Sequence, residues 1–287
     1  MKGNKIEARQ KVSETWKLIK DLRAGIDYNL VSKAKKLKEA AGIFVVAHTY
    51  QRLEVKEIAD VIGDSFALAS AARTLPQGKK VLHCSVDFMA ETTKILRPDL
   101  EVIVPSLYGG CGLADYITGE QIREWKRREA ERLSVSPDET PLVLYINSYA
   151  DAKAEADVIC TSSNALKVVE SLPEKNVLFA PDRNLCYSIT LKTTKNLIPW
   201  EGTCPIHVEF TREMIESAIE GVERESEANI GVMVHPECNP DVLDYVKNEL
   251  ECVRAVLSTG GMLSFAKAHP EIGAWVAGTE IGLIESP

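Results

Sequence analysis

The feature that most narrows what this chain can fold into is a unit that recurs along it. Short apolar strands alternate with amphipathic helices, three times, in the same order of landmarks. In the first passage "GIFVVAHTYQ" reads as a buried strand ending at His48. "KKVLHCSVDFMAETTKIL" follows as a strand, a corner at Asp87 and a helix, and "EVIVPSLYGGCG" as a strand and a loop holding Cys111. In the second, the strand of "PLVLYINS" ends at Asn147, "KNVLFAPDRNLCY" turns at Asp182, and "KNLIPWEGTCP" closes on Cys204. The third has a strand ending at His235 and a corner at Thr279 in "AWVAGTEIG". The corner-to-cysteine interval is 24 residues from Asp87 to Cys111 and 22 from Asp182 to Cys204.

Strands and helices in strict alternation imply βαβ units and parallel sheets. The expected fold is therefore α/β: three pseudo-threefold-related three-layer α/β/α domains with parallel sheets around a central active site. The boundaries read as an N-terminal helical segment over 1–41, then α/β domains over 42–118, 119–206 and 207–287. Charged helical stretches, "REWKRREAERL" and "TREMIESAIEGVERESEA", join successive units.

Composition removes several function classes. A net charge of -8, with no basic patch interleaved with aromatics, speaks against a nucleic-acid partner. The polar start "MKGNKIEARQKVSETWKLIK" has no apolar core, and no later run reaches membrane-span length, so neither a leader nor a membrane partner is expected and the chain reads as cytoplasmic. The seven cysteines form no CxxC pair. In a reducing compartment most of them read as inert packing residues.

Ligands of parallel α/β sheets sit beyond the carboxyl ends of the strands. Three helices there open on small hydroxyl residues: Ser65, Ser162 with Ser163, and Ser258 with Thr259. Each alone is an ordinary N-cap. Three at equivalent positions fit a cradle for carboxylates or phosphates, held by helix N-termini on an acidic protein. His48, His207 and His235 fall in the same set of loops. Pro236 holds His235 extended, and Glu237 follows as a candidate general acid/base. Tyr50 and Tyr145 flank two strand ends and could move protons or donate to a developing oxyanion. Asp64, Asp87 and Asp182 read as turn and cap residues. Cys111 and Cys204 each close a unit, so threefold pseudo-symmetry would bring them together. Without close-spaced pairs they fit zinc poorly; single cysteines, one per domain, suit an iron–sulfur cluster at a domain junction, whose open iron position acts as a Lewis acid.

Taken in order, "AHTYQ", "IADVIGDSFALA", "VDFMAETTKIL", "LYINS", "ADVICTSSNA", "PDRNL", "GTCPIH", "VMVHPECNP", "STGGM" and "GTEIG" resemble the bacterial and archaeal quinolinate synthases from about Gly42 to Ile284. The resemblance implies a transferase of NAD biosynthesis that condenses iminoaspartate with dihydroxyacetone phosphate to quinolinate, phosphate and water. It implies a 4Fe-4S cluster with one cysteine ligand per domain, matched here by Cys111 and Cys204. Tyr50, Tyr145, His207, His235 and Glu237 match its catalytic residues, and His48, Ser65, Asn147, Ser162, Ser258 and Thr259 its substrate-binding ones. A supplier of iminoaspartate, L-aspartate oxidase or aspartate dehydrogenase, is implied as a partner. Thr49, Cys186 and the "GLAD" run after Cys111 depart from the family pattern. Counted from Thr279, the corner-to-cysteine interval runs past Pro287, so the third ligand is expected outside this sequence, with the third domain incomplete and a sheet edge left unpaired. The alternative expectation is a cluster-less relative that binds small dicarboxylates or sugar phosphates without full activity.

Overall fold

The structure, a computed structural model, describes residues 25–284 and five isolated positions ahead of them, Gln10, Ser13, Glu14, Lys17 and Asp21. Most of the helical segment expected over 1–41, and residues 285–287 of the expected third domain, lie outside the described residues. What is described of that segment is helix α1 (Tyr28–Ala41), capped by the Asp27 carboxylate and ended by Gly42 in the left-handed conformation.

Three sheets follow. The first unit runs β1 (Phe44–His48), α2 (Leu53–Ile58), β2 (Val61–Gly63), α3 (Ser65–Arg73), β3 (Lys80–Cys84), α4 (Asp87–Leu96) and β4 (Glu101–Ile103). Helix α5 (Gly119–Leu133), opened by a Thr118–Gln121 capping box, leads into the second. There β5 (Leu142–Tyr145), α6 (Ala150–Lys153), β6 (Val158–Cys160), α7 (Ala165–Ser171), β7 (Asn176–Ala180), α8 (Arg183–Thr190) and β8 (Asn196–Pro199) repeat the pattern. After α9 (Arg212–Glu225) come β9 (Ile230–Val234), α10 (Pro240–Asn248), β10 (Val253–Val256), α11 (Thr259–Ala268) and β11 (Ala274–Gly278). The strand orders are β2-β1-β3-β4, β6-β5-β7-β8 and β10-β9-β11, and every pair is parallel. Each unit thus places its first strand centrally, its second to one side and its third to the other. Among the described residues the third sheet has three strands, with β11 at its edge.

The three-layer reading follows from which buried residues touch. Along β1, Val45 and Ala47 enter one apolar cluster while Val46 enters another. Along β5 and β7, Val143, Tyr145, Val177 and Phe179 share one cluster, and Leu142, Leu144, Leu178 and Ala180 share a second. Val232 and Val234 of β9 face away from Met233. Period-two alternation with both faces covered is what a parallel sheet between two helical layers requires.

Specific contacts join the units. The Lys153 ammonium lies 5.3 Å from the centroid of the Phe88 ring. Trp200 Nε1 donates to the Tyr116 carbonyl at 3.0 Å, and Tyr187 Oη to Asp244 Oδ2 at 2.8 Å. Lys56, almost fully buried, donates from Nζ to the Gly282 carbonyl at 2.5 Å. The two cysteine loops are tied down in the same way. Asp87 N donates to Gly109 O at 2.8 Å and Arg183 N to Gly202 O at 2.9 Å. Both bonds link the first residue of a helix to the residue two before Cys111 or Cys204. Position 202 must be glycine, because a Cβ there would lie 2.4 Å from the Pro181 carbonyl oxygen.

Candidate active site

A cavity of about 400 Å³ opens at the carboxyl ends of the strands, and all three sheets contribute to its wall. This is within the size range of small-molecule sites. His48, Tyr50, Ser65 and Cys111 reach it from the first unit, and Tyr145, Asn147, Ser162 and Cys204 from the second. His207, His235, Glu237 and Thr259 complete the set. Ser258, next to Thr259, caps α11, its hydroxyl accepting from Gly261 N.

The hydroxyl residues do not share one position on their helices. Thr259 and Ser65 are first helical residues, behind the caps Ser258 and Asp64. Ser162 sits ahead of α7, because Asn164 Oδ1 accepts from Thr161 N at 2.7 Å and turns the chain before the helix begins at Ala165. The cradle expected from three matching caps is therefore built from two different local structures. No lysine or arginine lies among the described lining residues. Hydroxyls, backbone N–H groups and the N-terminal ends of α3 and α11 supply what positive potential the wall has.

At the centre is a connected set of polar atoms. Tyr50 Oη lies 2.7 Å from Thr259 Oγ1 and 2.9 Å from Thr279 Oγ1. Thr279 Oγ1 is 3.1 Å from His207 Nε2. His207 Nδ1 is 2.8 Å from Glu237 Oε2 and 3.2 Å from Cys204 Sγ. The two imidazoles of His207 and His235 stack at 4.4 Å. Hydroxyl, imidazole and carboxylate thus stand in line from Tyr50 to Glu237. His235 Nδ1, 3.7 Å from Glu237 Oε2, is beyond hydrogen-bond reach of that oxygen.

Burial sets the protonation states. It lowers His48 to about 4 and His235 to about 3, so both are neutral at physiological pH. For Glu237 burial works upward, but His235 and the His207 hydrogen bond outweigh it and hold the carboxyl below its ordinary range. Burial raises the hydroxyls of Tyr50 and Tyr145 and the thiols of Cys111 and Cys204. Two buried acceptors have no hydrogen-bond partner among the described residues, Asn147 Oδ1 and Glu237 Oε1. Both belong to wall residues, which is where a ligand would satisfy them.

Residues the motif reading did not choose also shape the site. Asp64 and Glu280 are on the wall. Asp182 is the cap it was read to be, accepting from Leu185 N at 2.7 Å, and its other oxygen accepts from Cys204 N at 3.0 Å. Burial, then the Glu237 charge, pushes its carboxyl well up, against the N–H donors that favour the anion. Thr279, read as a corner marker, is the bridge between Tyr50 and His207.

The wall fits a soft metal group. Cys111 and Cys204 both face the cavity and pack on the same apolar cluster. Their loops touch, since a Cβ at Gly112 would be 3.0 Å from Pro205 Cγ. Two thiols on abutting loops are donors suited to iron–sulfur ligation. Cys84, Cys160, Cys186 and Cys238 are buried packing residues away from this wall, as expected, and Cys252 is half-buried beside a different cavity. No helix among the described residues is long and apolar enough to cross a membrane.

Comparison with known proteins places the chain in one family. A family model described as NadA, Quinolinate synthetase A protein, matches residues 32–286. The chain is 42% identical over 257 residues to a quinolinate synthase of Thermotoga maritima, covering 89% of this chain and 78% of that protein. It is 39% identical over 258 residues to one of Caldicellulosiruptor bescii, 90% of this chain and 78% of that one. To one of Methanoregula boonei it is 38% identical over 249 residues, 87% of this chain and 75% of that one.

Proposed function

The chain belongs to the quinolinate synthase family, and on that premise we propose that it condenses iminoaspartate with dihydroxyacetone phosphate to quinolinate, phosphate and water. This is a transferase reaction of NAD biosynthesis, carried out in the cytoplasm. The observation that carries the reading is the series Tyr50, Thr279, His207 and Glu237, each within 3.1 Å of the next. Isomerising a triose, closing a ring and losing water all require a proton to leave one atom and arrive at another. A hydroxyl–imidazole–carboxylate line of buried groups offers that transfer.

In this reading Glu237 takes a proton from substrate carbon and returns it to a departing hydroxyl. Tyr50, at the far end of the line, exchanges protons with the triose. Tyr145 donates to oxygen as negative charge develops, and neutral His235 supports the substrate beside Glu237. Ser65, Ser162 and Thr259 hold carboxylate and phosphate oxygens, with His48 and Asn147 alongside, and Ser258 orders the start of α11. Cys111 and Cys204 would hold the 4Fe-4S cluster, which when bound would supply Lewis acidity for the loss of water. Iminoaspartate hydrolyses in water, so a neighbouring L-aspartate oxidase or aspartate dehydrogenase supplies it.

The test is anaerobic reconstitution with iron and sulfide, followed by assay for quinolinate from both substrates. A brown protein that forms quinolinate is expected. A folded chain that binds dihydroxyacetone phosphate but forms no quinolinate overturns the reading in favour of the cluster-less relative.

A further inference from the structure

Cys204, His207 and Glu237 also meet a requirement separate from the reaction. Their donor atoms Sγ, Nδ1 and a carboxylate oxygen all lie within 4.8 Å of one another. Sulfur, imidazole nitrogen and carboxylate oxygen are the ligand types of zinc and of divalent iron and cobalt. The pair Cys204 and His207 is close-spaced, on a turn closed by the bond from Val208 N to Cys204 O at 3.1 Å.

The groups behind these ligands already point them. The Asp182 carboxylate accepts from Cys204 N at 3.0 Å, and Asn184 Nδ2 donates to the Glu237 carbonyl at 3.1 Å. Thr279 Oγ1 stands at His207 Nε2, so a proton on that nitrogen leaves the Nδ1 lone pair for a metal. Glu237 is only 2% exposed, yet its Oε1 has no hydrogen-bond partner among the described residues.

We propose that these three residues form a mononuclear site for a borderline-soft divalent cation, and that its occupation excludes the iron–sulfur cluster because both require the Cys204 thiolate. The geometry needs little change. Around a tetrahedral ion the sulfur–nitrogen separation is roughly 3.5 Å and the nitrogen–oxygen separation roughly 3.4 Å. The observed values are 3.2 Å and 2.8 Å. Opening the second contact by roughly half an ångström admits the ion. As it enters, the Cys204 thiol gives its proton to solvent, and the proton that His207 Nδ1 donates to Glu237 moves to Nε2, where Thr279 Oγ1 can accept it. Three protein ligands leave the fourth position open to the cavity, the arrangement of a site that exchanges ligands.

The test uses the whole chain, stripped of metal by chelator under anaerobic conditions and titrated with cobalt(II) alone, without substrates. One ion per chain is expected, with a thiolate-to-cobalt charge-transfer band and the visible bands of tetrahedral cobalt; zinc should erase them. Cys111→Ser should retain the signal, which separates this site from the cluster. Cys204→Ser should abolish the charge-transfer band, and His207→Gln and Glu237→Gln should weaken binding at least about tenfold. If Cys204→Ser does not fold, judged by circular dichroism, the other two variants carry the test. Zinc-loaded chain should take up no cluster from iron and sulfide until chelator is added. Loss of the cobalt signal in Cys111→Ser, binding without a thiolate band, or cluster assembly on zinc-loaded chain would each overturn the proposal. Because no step reads quinolinate, the result is independent of the proposed reaction.

Discussion

Replacing Thr279 by valine removes one oxygen at nearly constant shape and cuts the line between Tyr50 and His207. Thr279 is 4% exposed, and its hydroxyl bridges Tyr50 Oη at 2.9 Å and His207 Nε2 at 3.1 Å. Tyr50 keeps Thr259 at 2.7 Å, so its hydroxyl stays satisfied. His207 Nε2 loses its partner inside the protein, which costs about 1–3 kcal/mol. For a chain of this size that lowers the melting temperature by about 2–10 °C. Positioned proton transfer contributes about 10²–10⁴ in rate. A broken relay with intact end groups belongs at the lower edge, a fall in kcat of about a hundredfold. KM for dihydroxyacetone phosphate should change little, since the hydroxyls holding the anion are untouched. Thr279→Ser, which restores the oxygen, should recover most of the rate. The assay is steady-state quinolinate formation by reconstituted enzyme in H₂O and D₂O, with a smaller solvent isotope effect on kcat in the serine variant than in the valine one if relayed transfer is restored. A folded valine variant with kcat near that of the parent would refute the relay.

Two further outcomes follow from buried groups. His83 is inside the first unit, with Nδ1 2.6 Å from Ser85 Oγ and Nε2 3.1 Å from Thr93 Oγ1, and burial lowers it to about 4. Since the unfolded value is higher, the unfolded chain binds the proton first. The stability this neutral histidine confers is complete above pH 6.5 and is lost as pH falls from 6.5 to 4, to a ceiling of roughly 3 kcal/mol. His48 and His235 act in the same direction. Urea unfolding between pH 6.5 and 4 should therefore be less pH-dependent in His83→Gln by about one proton; identical slopes would contradict this. Asp182→Asn would set an amide donor or a reoriented carbonyl against Leu185 N and Cys204 N, both of which now donate to the carboxylate. A cost of about 1–3 kcal/mol and a lower iron content after reconstitution are expected, and unchanged iron content would show that Cys204 needs no such anchor.

The architecture was legible because it rests on local pattern. Parallel strands covered on both faces must be apolar throughout, and the corners after β3 and β7 carry aspartates, Asp87 as the first residue of α4 and Asp182 as the cap of α8, so three units could be read in register. The wall of the cavity was legible where a motif is continuous in sequence, as in His235-Pro236-Glu237. Pairings across units carry no such signal. Tyr50 and Thr279 are 229 positions apart, and nothing about either residue announces the other. Aspartates were under-read for a different reason: Asp64 and Asp182 do cap helices, and that sufficient local explanation hid their second roles. Ser258 likewise caps a helix, its hydroxyl accepting from Gly261 N beside Thr259 on the wall.

The bond from Lys56 to the Gly282 carbonyl has a consequence for how the molecule is made. It joins residues 226 positions apart, the first unit to the turn after β11. At about 5–20 residues per second, a ribosome needs roughly 10–45 seconds to travel between them. Throughout that interval the first sheet can already have closed on itself while the carbonyl that meets the Lys56 ammonium does not yet exist. Contacts of such long range are slow to form even in a finished chain. The wall of the cavity, which includes Glu280, is thus completed late, after the first two sheets have been made and while their cavity-facing residues are still open to solvent.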